Sequence, residues 1–283
     1  MKTFPELFEK LYGPNPYYDE SQVQRVLQCI DTEKIPKVSN AGDVVEIQGN
    51  ICQVMHNGVL IHKGCYHADW MTDIIKKLKG HHEPQEEKLF YEVLKYVGDG
   101  GTMIECGSFW SYYSLWFHSE IKNSTNIMIE PNPTKFEIGR LNFELNNFDG
   151  FFYNASIGST NHISSDFMDW DGQSYVIPQF TIDKIIENHN LDKVSILHMD
   201  IQGNETFALS GGENNLKKQN IDFLFIATHA PNISVIEYIK NLNYKIITSF
   251  EIRESFADDG LILACSEAVY NRIESHNFTI QKR

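Results

Sequence analysis

Residues able to hold a ligand stand directly after two short apolar runs of this sequence. Glu105-Cys106-Gly107-Ser108 closes the first run, and Glu130-Pro131-Asn132 closes the second. A glycine at such a turn lets the backbone approach a bound molecule closely, and Glu105 can accept hydrogen bonds from an amino group. An ordinary turn between a strand and a helix would use the same residue types, so the first motif is not specific by itself.

Glu130 carries the more specific signal. An acid at the end of a second strand, about 20 residues beyond a glycine turn, commonly accepts hydrogen bonds from the hydroxyls of a ribose. No basic residue stands beside Glu130 in the sequence to bind a 2′-phosphate. Ser156 follows a third apolar run and could contact the base of the same nucleoside. The alternative explanation for Glu130 is a helix-entry acid favoured by the helix dipole.

A second group of residues, centred on Asp200 and His229, could move a proton. Each of the two follows an apolar run, and Gln202 and Thr228 stand next to them as substrate contacts. Histidine is the usual base for a hydroxyl because its pKa lies near neutral pH, and Asp200 could orient that base or anchor a substrate. Asp200, Gln202 and His229 could instead hold a divalent ion, but glutamine is a poor ligand, so no metal is predicted.

These residues must be positioned by alternating strands and helices. Beyond residue 102, apolar runs of strand length alternate with segments of helical periodicity, which predicts a mostly parallel sheet covered by helices on both faces. No helix separates the last two strands, so the final strand is predicted to run antiparallel. The predicted strands are 102–106, 126–130, 150–155, 194–200, 221–227, 244–249 and 260–265. The fold class is therefore α/β and Rossmann-like, with ligands at the carboxyl ends of the strands.

Residues 1–80 do not share this alternation. They are predicted to form an N-terminal extension of helices and a β-hairpin, with the Rossmann-like domain at 81–283. Asn57-Gly58 between two apolar runs predicts a hairpin with a type I′ turn, whose two central residues need positive φ. Four residues of the extension could pack against a sugar face, namely Tyr66, His67, Asp69 and Trp70. Ordinary helix packing is the better explanation for them.

Composition limits the classes of partner. Of the 283 residues, 42% are hydrophobic, which is ample for a buried core, and the formal net charge of −14 disfavours nucleic acid because an acidic chain repels phosphate backbones. No apolar run approaches the ~20 residues that span a bilayer, and the start lacks an apolar signal stretch, so a cytoplasmic protein is predicted. Five widely spaced cysteines fit neither a disulfide framework nor a zinc site, and Cys106 and Cys265 are predicted to be reduced core residues.

Four segments, taken in order, resemble the FkbM family of methyltransferases. They are 103–114, 129–133, 196–205 and 221–229, within a resemblance that extends over residues 83–265. The resemblance implies the class I methyltransferase fold, S-adenosylmethionine as the methyl donor, and O-methylation of a sugar hydroxyl in capsule, lipopolysaccharide, glycolipid or natural-product biosynthesis. By the family pattern, Glu105 and Gly107 belong to the donor loop, Glu130 to the ribose site, and Asp200 to the acid after the fourth strand.

The predicted site therefore has three parts. The donor is expected to contact Glu105, Gly107, Ser108, Tyr113, Glu130, Pro131, Asn132, Ser156 and Asp200. The acceptor is expected to contact Trp110, Gln202 and Thr228. Catalysis is assigned to His229 as the base and to Asp200. The expected partner is a small molecule or a glycan, and the extension could also form a contact in a homodimer.

This chain departs from the family pattern at three points, one of which is Gln202, where the family often has the Glu of Asp-x-Glu-Gly. The family usually has Asp-x-Gly-Ala-Asn-x-Gly in the donor loop, where this chain carries the bulky Phe109 and Trp110. It often has Glu-x-His after the fifth strand, where Ala227 removes the acid and leaves His229 without an obvious orienting carboxylate. The alternatives are a binder of adenosyl ligands or sugars that lost the chemistry, and a methyltransferase of a non-sugar small molecule. A missing G-x-G-x-x-G argues against an NAD-dependent oxidoreductase.

Overall fold

The computed structural model describes residues 3–169 and 172–283, and in this part of the chain the strands form three sheets. Numbered in chain order, the strands are β1 Val44–Ile47, β2 Asn50–Val54, β3 Leu60–His62, β4 Thr102–Cys106, β5 Thr125–Ile129, β6 Phe151–Tyr153, β7 Ser156–Ile157, β8 His162–Met168, β9 Ser174–Phe180, β10 Val194–Met199, β11 Ile221–Thr228, β12 Lys245–Phe250 and β13 Gly260–Cys265.

Helices cover both faces of the largest sheet. They are α1 Phe4–Tyr12, α2 Glu20–Val26, α3 Ala68–Lys77, α4 Pro84–Leu94, α5 Tyr112–Glu120, α6 Pro133–Leu145, α7 Ile182–Asn188, α8 Glu205–Ser210, α9 Glu213–Lys217, α10 Ile233–Asn241 and α11 Glu267–Tyr270. Two short 3₁₀ turns lie at Ile252–Glu254 and Ser275–Phe278. Among the described residues, no helix is long and apolar enough to cross a membrane.

The central sheet has seven strands in the order β12-β13-β11-β10-β4-β5-β6. Strands β11, β10, β4, β5 and β6 are parallel to one another, whereas β13 is antiparallel to both of its neighbours. The prediction of a seven-stranded, mostly parallel sheet with an antiparallel last strand is confirmed. The third predicted strand is shorter than expected, because β6 is an edge strand that pairs over three residues only.

Strand register brings the site residues to one edge of this sheet. Cys106 pairs with Met199, and Met199 pairs with Ile226, so β4, β10 and β11 end side by side. Thr228 pairs with Gly260, so β13 begins where β11 ends. The residues just after the parallel strands and just before β13 therefore meet above the same edge.

Burial on both faces explains why the strands are almost continuously apolar. Successive residues of β4 point to opposite faces, with Met103 in one hydrophobic cluster and Ile104 in the other. Both faces are covered, so an alternating polar pattern would place polar groups in the core. All five cysteines are buried with free thiols, and Cys106 and Cys265 lie in the central strands as predicted.

The N-terminal segment packs onto the same core. Leu7 and Val23 belong to the hydrophobic cluster that also contains Phe90 of α4 and Phe225 of β11. β1, β2 and β3 form an antiparallel sheet, so the predicted hairpin is confirmed. Its turn differs from the prediction: five residues separate β2 from β3, and Gly58 has a positive φ of 91° whereas Asn57 does not. The boundary near residue 80 stays a prediction.

A further small sheet, β7–β9, was not predicted from the sequence. β8 and β9 form an antiparallel hairpin, and β7 pairs with β9. The side chains of β8 are mostly exposed, and Ile163 is 95% exposed. Because little of this hairpin is buried, its sequence lacks the apolar pattern that marks a strand.

Candidate active site

A large cavity opens above the edge where the parallel strands end. Its volume is about 510 Å³, which lies within the range of small-molecule sites. Its wall joins the turns after β4, β5, β6 and β10 to the N-terminal segment, the β8–β9 hairpin and the loop before β13. The predicted site residues that line it are Gly107, Glu130, Pro131, Ser156, Asp200, Gln202 and His229.

The turn after β4 has a constrained backbone. Gly107 has a φ of +78°, and a Cβ at this position would lie 1.8 Å from the carbonyl oxygen of Asp200, so no side chain fits there. Phe109 and Ser111 also have positive φ angles, of 39° and 59°. Non-glycine residues rarely adopt this conformation, and such residues cluster at ligand sites. Phe109 lines the cavity without filling it, so the bulky loop leaves room for a ligand.

Glu130 presents a fixed carboxylate to the cavity. One oxygen accepts the backbone N–H of Phe109 at 3.0 Å, and the other accepts that of Asn132 at 2.8 Å. Burial raises the pKa of Glu130 to about 7, although Lys135 and the two backbone donors oppose the shift. Each oxygen retains capacity for a second donor, so the carboxylate can accept hydrogen bonds from two vicinal hydroxyls, as a ribose presents them.

Apolar side chains surround Glu130 where a nucleoside base would lie. The strand ends β5 and β6 and the start of β7 contribute this part of the wall, with Ile129, Pro131, Ala155 and Ile157. Phe167 and Met168 of β8 line the same cavity. Faces of this kind suit a flat heteroaromatic ring, and the Ser156 hydroxyl can bond to its edge.

A buried ion pair stands beside Glu130. Lys135 Nζ lies 2.9 Å from Asp169 Oδ2, which also accepts a hydrogen bond from Asn132 Nδ2 at 2.7 Å. The expectation that no basic residue stands beside Glu130 is therefore wrong for the folded chain, because Lys135 lies on the same cavity wall. Helix α6 begins at Pro133, three residues after Glu130, and its first turn places Lys135 at the cavity wall. The lysine charge is balanced there by Asp169.

The remaining predicted site residues pack behind the cavity wall, namely Glu105, Ser108, Trp110, Tyr113, Asn132 and Thr228. Glu105 is buried on the side of the sheet that faces α5, where it accepts the backbone N–H of Ser114 at 3.3 Å. Burial raises the pKa of Glu105 to about 7. Asn132 accepts hydrogen bonds from backbone N–H groups at the start of α6, and Trp110 stacks on Tyr66 with ring centroids 4.8 Å apart.

His229 lies at the end of β11 among three carboxylates. Its Nε2 atom is 2.8 Å from Asp259 Oδ1 and 3.4 Å from Asp200 Oδ1, and its Nδ1 atom is 3.6 Å from Glu205 Oε1. Burial alone would lower the pKa of His229, but the neighbouring carboxylates of Asp259, Glu205 and Asp200 raise it to about 10. The imidazole is therefore protonated at neutral pH.

Asp259 is a site residue that the sequence argument missed. It stands just before β13, and because Thr228 pairs with Gly260, Asp259 meets His229 where the two strands separate. The expectation that His229 lacks an orienting carboxylate is wrong, because the acid comes from the β12–β13 loop rather than from β11. An antiparallel strand begins at the edge where parallel strands end, and this rule could have singled out Asp259.

Glu83 was missed as well, for a related reason. It directly precedes Pro84, the first residue of α4, and it lines the cavity. Its carboxylate accepts hydrogen bonds from the hydroxyls of Tyr66 and Tyr113, both at 3.3 Å, and lies 3.2 Å from His82 Nε2. A helix that leads into a parallel strand runs antiparallel to that strand. The helix therefore begins at the edge of the sheet where the parallel strands end, which is the ligand edge.

Among residues 3–169 and 172–283, a buried group formed by His56, His81 and Glu87 has the ligand types of a metal site. The rings of His56 and His81 stack with centroids 4.3 Å apart and planes 19° apart, so their in-plane lone pairs do not converge on one point. Glu87 instead accepts the Tyr112 hydroxyl at 3.2 Å and lies 2.7 Å from His82 Nδ1. This arrangement fits a hydrogen-bonded network that fixes His82 below Glu83.

The family of the chain follows from comparison with known proteins. The sequence profile of the Methyltransferase FkbM domain matches residues 92–246, more than half of the chain. The chain belongs to the FkbM methyltransferase family. It is an S-adenosylmethionine-dependent methyltransferase with the class I Rossmann-like fold. No curated protein matches the chain.

Solved structures share parts of this fold at low similarity. M. capricolum TrmK in complex with S-adenosyl-homocysteine is 13% identical with a TM-score of 0.44, over 63% of this chain and 67% of that chain. The Geobacter metallireducens precorrin-6y C5,15-methyltransferase is 9% identical with a TM-score of 0.40, over 65% and 86%. The Pyrococcus abyssi tRNA (uracil-54, C5)-methyltransferase is 12% identical with a TM-score of 0.44, over 76% and 43%.

The cavity of this FkbM methyltransferase fits its methyl donor. The close approach at Gly107, the doubly anchored carboxylate of Glu130 and the apolar wall around Ile157 suit an adenosyl group. The matched segment contains these residues together with Asp200 and His229. Tyr66, Glu83 and Asp259 line the cavity from outside that matched segment.

Proposed function

We propose that this methyltransferase transfers a methyl group to a sugar hydroxyl in the biosynthesis of a surface polysaccharide or a related glycan, with His229 as the base. The observation that carries the proposal is the placement of His229, which faces the cavity beside Asp200 and is held by Asp259 at 2.8 Å. A sugar hydroxyl is a poor nucleophile until a base takes its proton, and an oriented imidazole can supply that base.

We assign the donor half of the cavity to Gly107, Glu130, Pro131, Ser156 and Asp200, and the acceptor half to the residues around His229. S-adenosylmethionine supplies a methyl group on a positively charged sulfur, so the acceptor oxygen forms its bond to carbon as the carbon–sulfur bond breaks. Glu130 orients the donor through its ribose hydroxyls, and Asp200 stands between the two halves, where Gln202 donates a hydrogen bond to it at 3.1 Å.

His229 must lose its own proton before it can accept one. The surrounding carboxylates hold that proton, because they raise the pKa of His229 to about 10. The positive charge of a bound donor beside Asp200 would weaken this hold, because it would offset the carboxylates electrostatically. The acceptor hydroxyl would then give its proton to Nε2, because Nδ1 is buried beside Glu205. Asp259 and Asp200 lie next to Nε2 and would stabilise the imidazolium that forms. Orientation by these side chains contributes to the rate in its own right.

The proposal is tested in two steps with the full chain. S-adenosyl-homocysteine at 100 times its Kd should stabilise the protein by about 2.7 kcal/mol in a thermal-shift assay, whereas NAD should not. Incubation with S-adenosylmethionine and a panel of free sugars, glycosides and non-sugar alcohols should then give a mass increase of one methylene on a sugar, detected by mass spectrometry. Methylation of non-sugar alcohols alone would overturn the sugar assignment, and donor binding without turnover on any acceptor would overturn the activity on sugars.

A further inference from the structure

Part of the acceptor half of the cavity comes from segments that lie outside the FkbM match. The match extends from residue 92 to residue 246. The cavity wall at this end contains Tyr66, His67 and Trp70 from the N-terminal segment, Glu83 before α4, and Asp259 before β13. These residues are added to the common donor site, so they are the place where a preference for one acceptor would be built.

An aromatic wall with a fixed orientation stands at this end. Tyr66 stacks on Trp110 with centroids 4.8 Å apart and planes 9° apart, and Trp110 stacks in turn on Tyr112 at 4.9 Å and 14°. Tyr66 also meets the edge of Phe109 at 5.4 Å. Trp70 continues the wall on α3. A rigid aromatic surface beside polar groups suits the apolar C–H face of a sugar ring.

Glu83 provides a preorganised acceptor of hydrogen bonds next to this wall. Burial would raise the pKa of its carboxyl, but the charge of His82 holds the pKa below its ordinary value, so Glu83 is ionised. The hydroxyls of Tyr66 and Tyr113 both donate to it at 3.3 Å, which fixes the direction of its oxygens. A carboxylate with fixed oxygens can accept hydrogen bonds from neighbouring hydroxyls or from an ammonium group.

The charge at this end is predominantly negative. Four acids line this part of the wall against two cationic side chains, His82 and His229; the acids are Asp19, Glu83, Asp258 and Asp259. The cations near them are already engaged. Arg25 pairs with Asp258, His229 with Asp259, and His82 with Glu83 and Glu87. Lys135 of the cavity wall lies in the donor half, where it pairs with Asp169. A phosphate or carboxylate brought to the acceptor half would meet like charges, which costs binding free energy.

We propose that Tyr66, Trp70 and Glu83 form an acceptor subsite for a sugar ring that bears neither phosphate nor carboxylate. The inference rests on the proposed sugar methylation and makes it more specific. The ring packs against the aromatic wall, its hydroxyl or amino groups donate to Glu83, and one hydroxyl points to His229. The subsite selects against uronic acids and sugar phosphates by charge.

The test compares two acceptors that differ only in charge, a methyl hexoside and the matching methyl hexuronoside, at saturating S-adenosylmethionine. The neutral hexoside should have a kcat/KM at least about tenfold higher than the uronoside. Glu83→Gln should raise the KM of the hexoside about tenfold and reduce that preference, while the Kd of S-adenosyl-homocysteine stays within about twofold. Trp70→Ala should raise the KM of both sugars and leave the preference unchanged.

Glu92→Gln is the control for loss of a carboxylate near Glu83, because Glu92 lies on α4 but pairs with Lys88 and Lys95 away from the cavity. It should change neither KM nor the preference for the neutral sugar. Methylated sugars combined with an unchanged KM in Glu83→Gln, or a preference for the uronoside, would overturn the subsite and leave the proposed function intact. If S-adenosyl-homocysteine binds and neither sugar is methylated, the sugar assignment and the subsite fall together.

Discussion

The donor half and the acceptor half of the cavity are constructed in different ways. The donor half consists of turns that follow consecutive parallel strands, and it depends on backbone features such as the close approach at Gly107 and the N–H groups that bind Glu130. The acceptor half consists of side chains from distant segments, with Tyr66 and Glu83 on one side and Asp259 on the other.

The two halves also differ in their relation to the FkbM match. The residues proposed to bind the donor lie within 92–246, whereas Tyr66, Glu83 and Asp259 lie outside it. An acceptor that varies between members is recognised by side chains that the fold tolerates without changing its core. The two halves should therefore respond differently to substitution, and this can be measured.

His229→Ala should have the largest effect on turnover and almost none on the donor. Loss of a general base commonly lowers kcat by roughly 10²–10⁴-fold, whereas the Kd of S-adenosyl-homocysteine, measured by calorimetry, should change less than about threefold. His276→Ala is the control, because the side chain of His276 is 72% exposed and pairs with the exposed Glu274. An unchanged kcat in His229→Ala would remove this residue from the role of base.

Gly107→Ala tests the backbone character of the donor half. The added Cβ would meet the carbonyl oxygen of Asp200 at 1.8 Å with φ at +78°, so the turn must shift. We expect the Kd of S-adenosyl-homocysteine to rise at least about tenfold and the melting temperature to fall. Gly98→Ala, where no atom lies within 4 Å of the added Cβ, should leave both values unchanged. Donor binding at wild-type strength in Gly107→Ala would contradict this view of the loop.

Glu130→Gln should weaken the donor without altering acceptor recognition. A hydrogen bond to a charged group contributes about 1.5–3 kcal/mol, so the Kd of S-adenosyl-homocysteine should rise by about one order of magnitude. The acceptor KM at saturating donor should be unchanged, because Glu130 lies at the other end of the cavity. Glu137→Gln on α6 serves as the control for charge. A raised acceptor KM together with normal donor binding would show that the two halves are not separable.

Asp259→Asn should have a smaller effect on kcat, about tenfold, with a distinctive change in pH dependence. The neutral imidazole is the active form, so the wild-type kcat/KM for the acceptor should rise with pH until His229 is deprotonated. Asp259 helps to raise the pKa of His229 to about 10, so its loss should move the midpoint of that rise to lower pH. A profile that keeps its midpoint in Asp259→Asn would show that Asp259 does not act on His229.

The contact between His229 and Asp259 also affects the stability of the fold. The sign of its pH dependence follows from the direction in which the pKa of His229 is shifted. The folded pKa of His229 lies above the unfolded value of about 6.5. Its contribution to stability is therefore complete below about pH 6.5 and is lost as the pH rises through about 10. Melting temperatures measured across this range should fall less steeply in His229→Ala than in the wild type.

Much of the fold could be predicted because its strands are buried on both faces. Such strands must be apolar along their whole length, so the apolar runs of the sequence predict β4, β10 and β11. The β8–β9 hairpin could not be predicted, because Ile163 and its neighbours are exposed and form no apolar pattern. The hairpin turn at Gly58 was assigned the wrong type, because loop length as well as residue type selects the turn.

The sequence by itself determined the parallel sheet, the family, and the residues that follow each parallel strand, since order along the chain and apolar periodicity are local properties. Only the tertiary structure decided that Glu105 faces away from the cavity, that Lys135 returns to it, and that Asp259 and Glu83 reach it. These placements depend on strand register, on the face to which a side chain points, and on elements that run against the strands. None of the three can be read from neighbouring residues, because each is fixed by contacts between segments far apart in the chain.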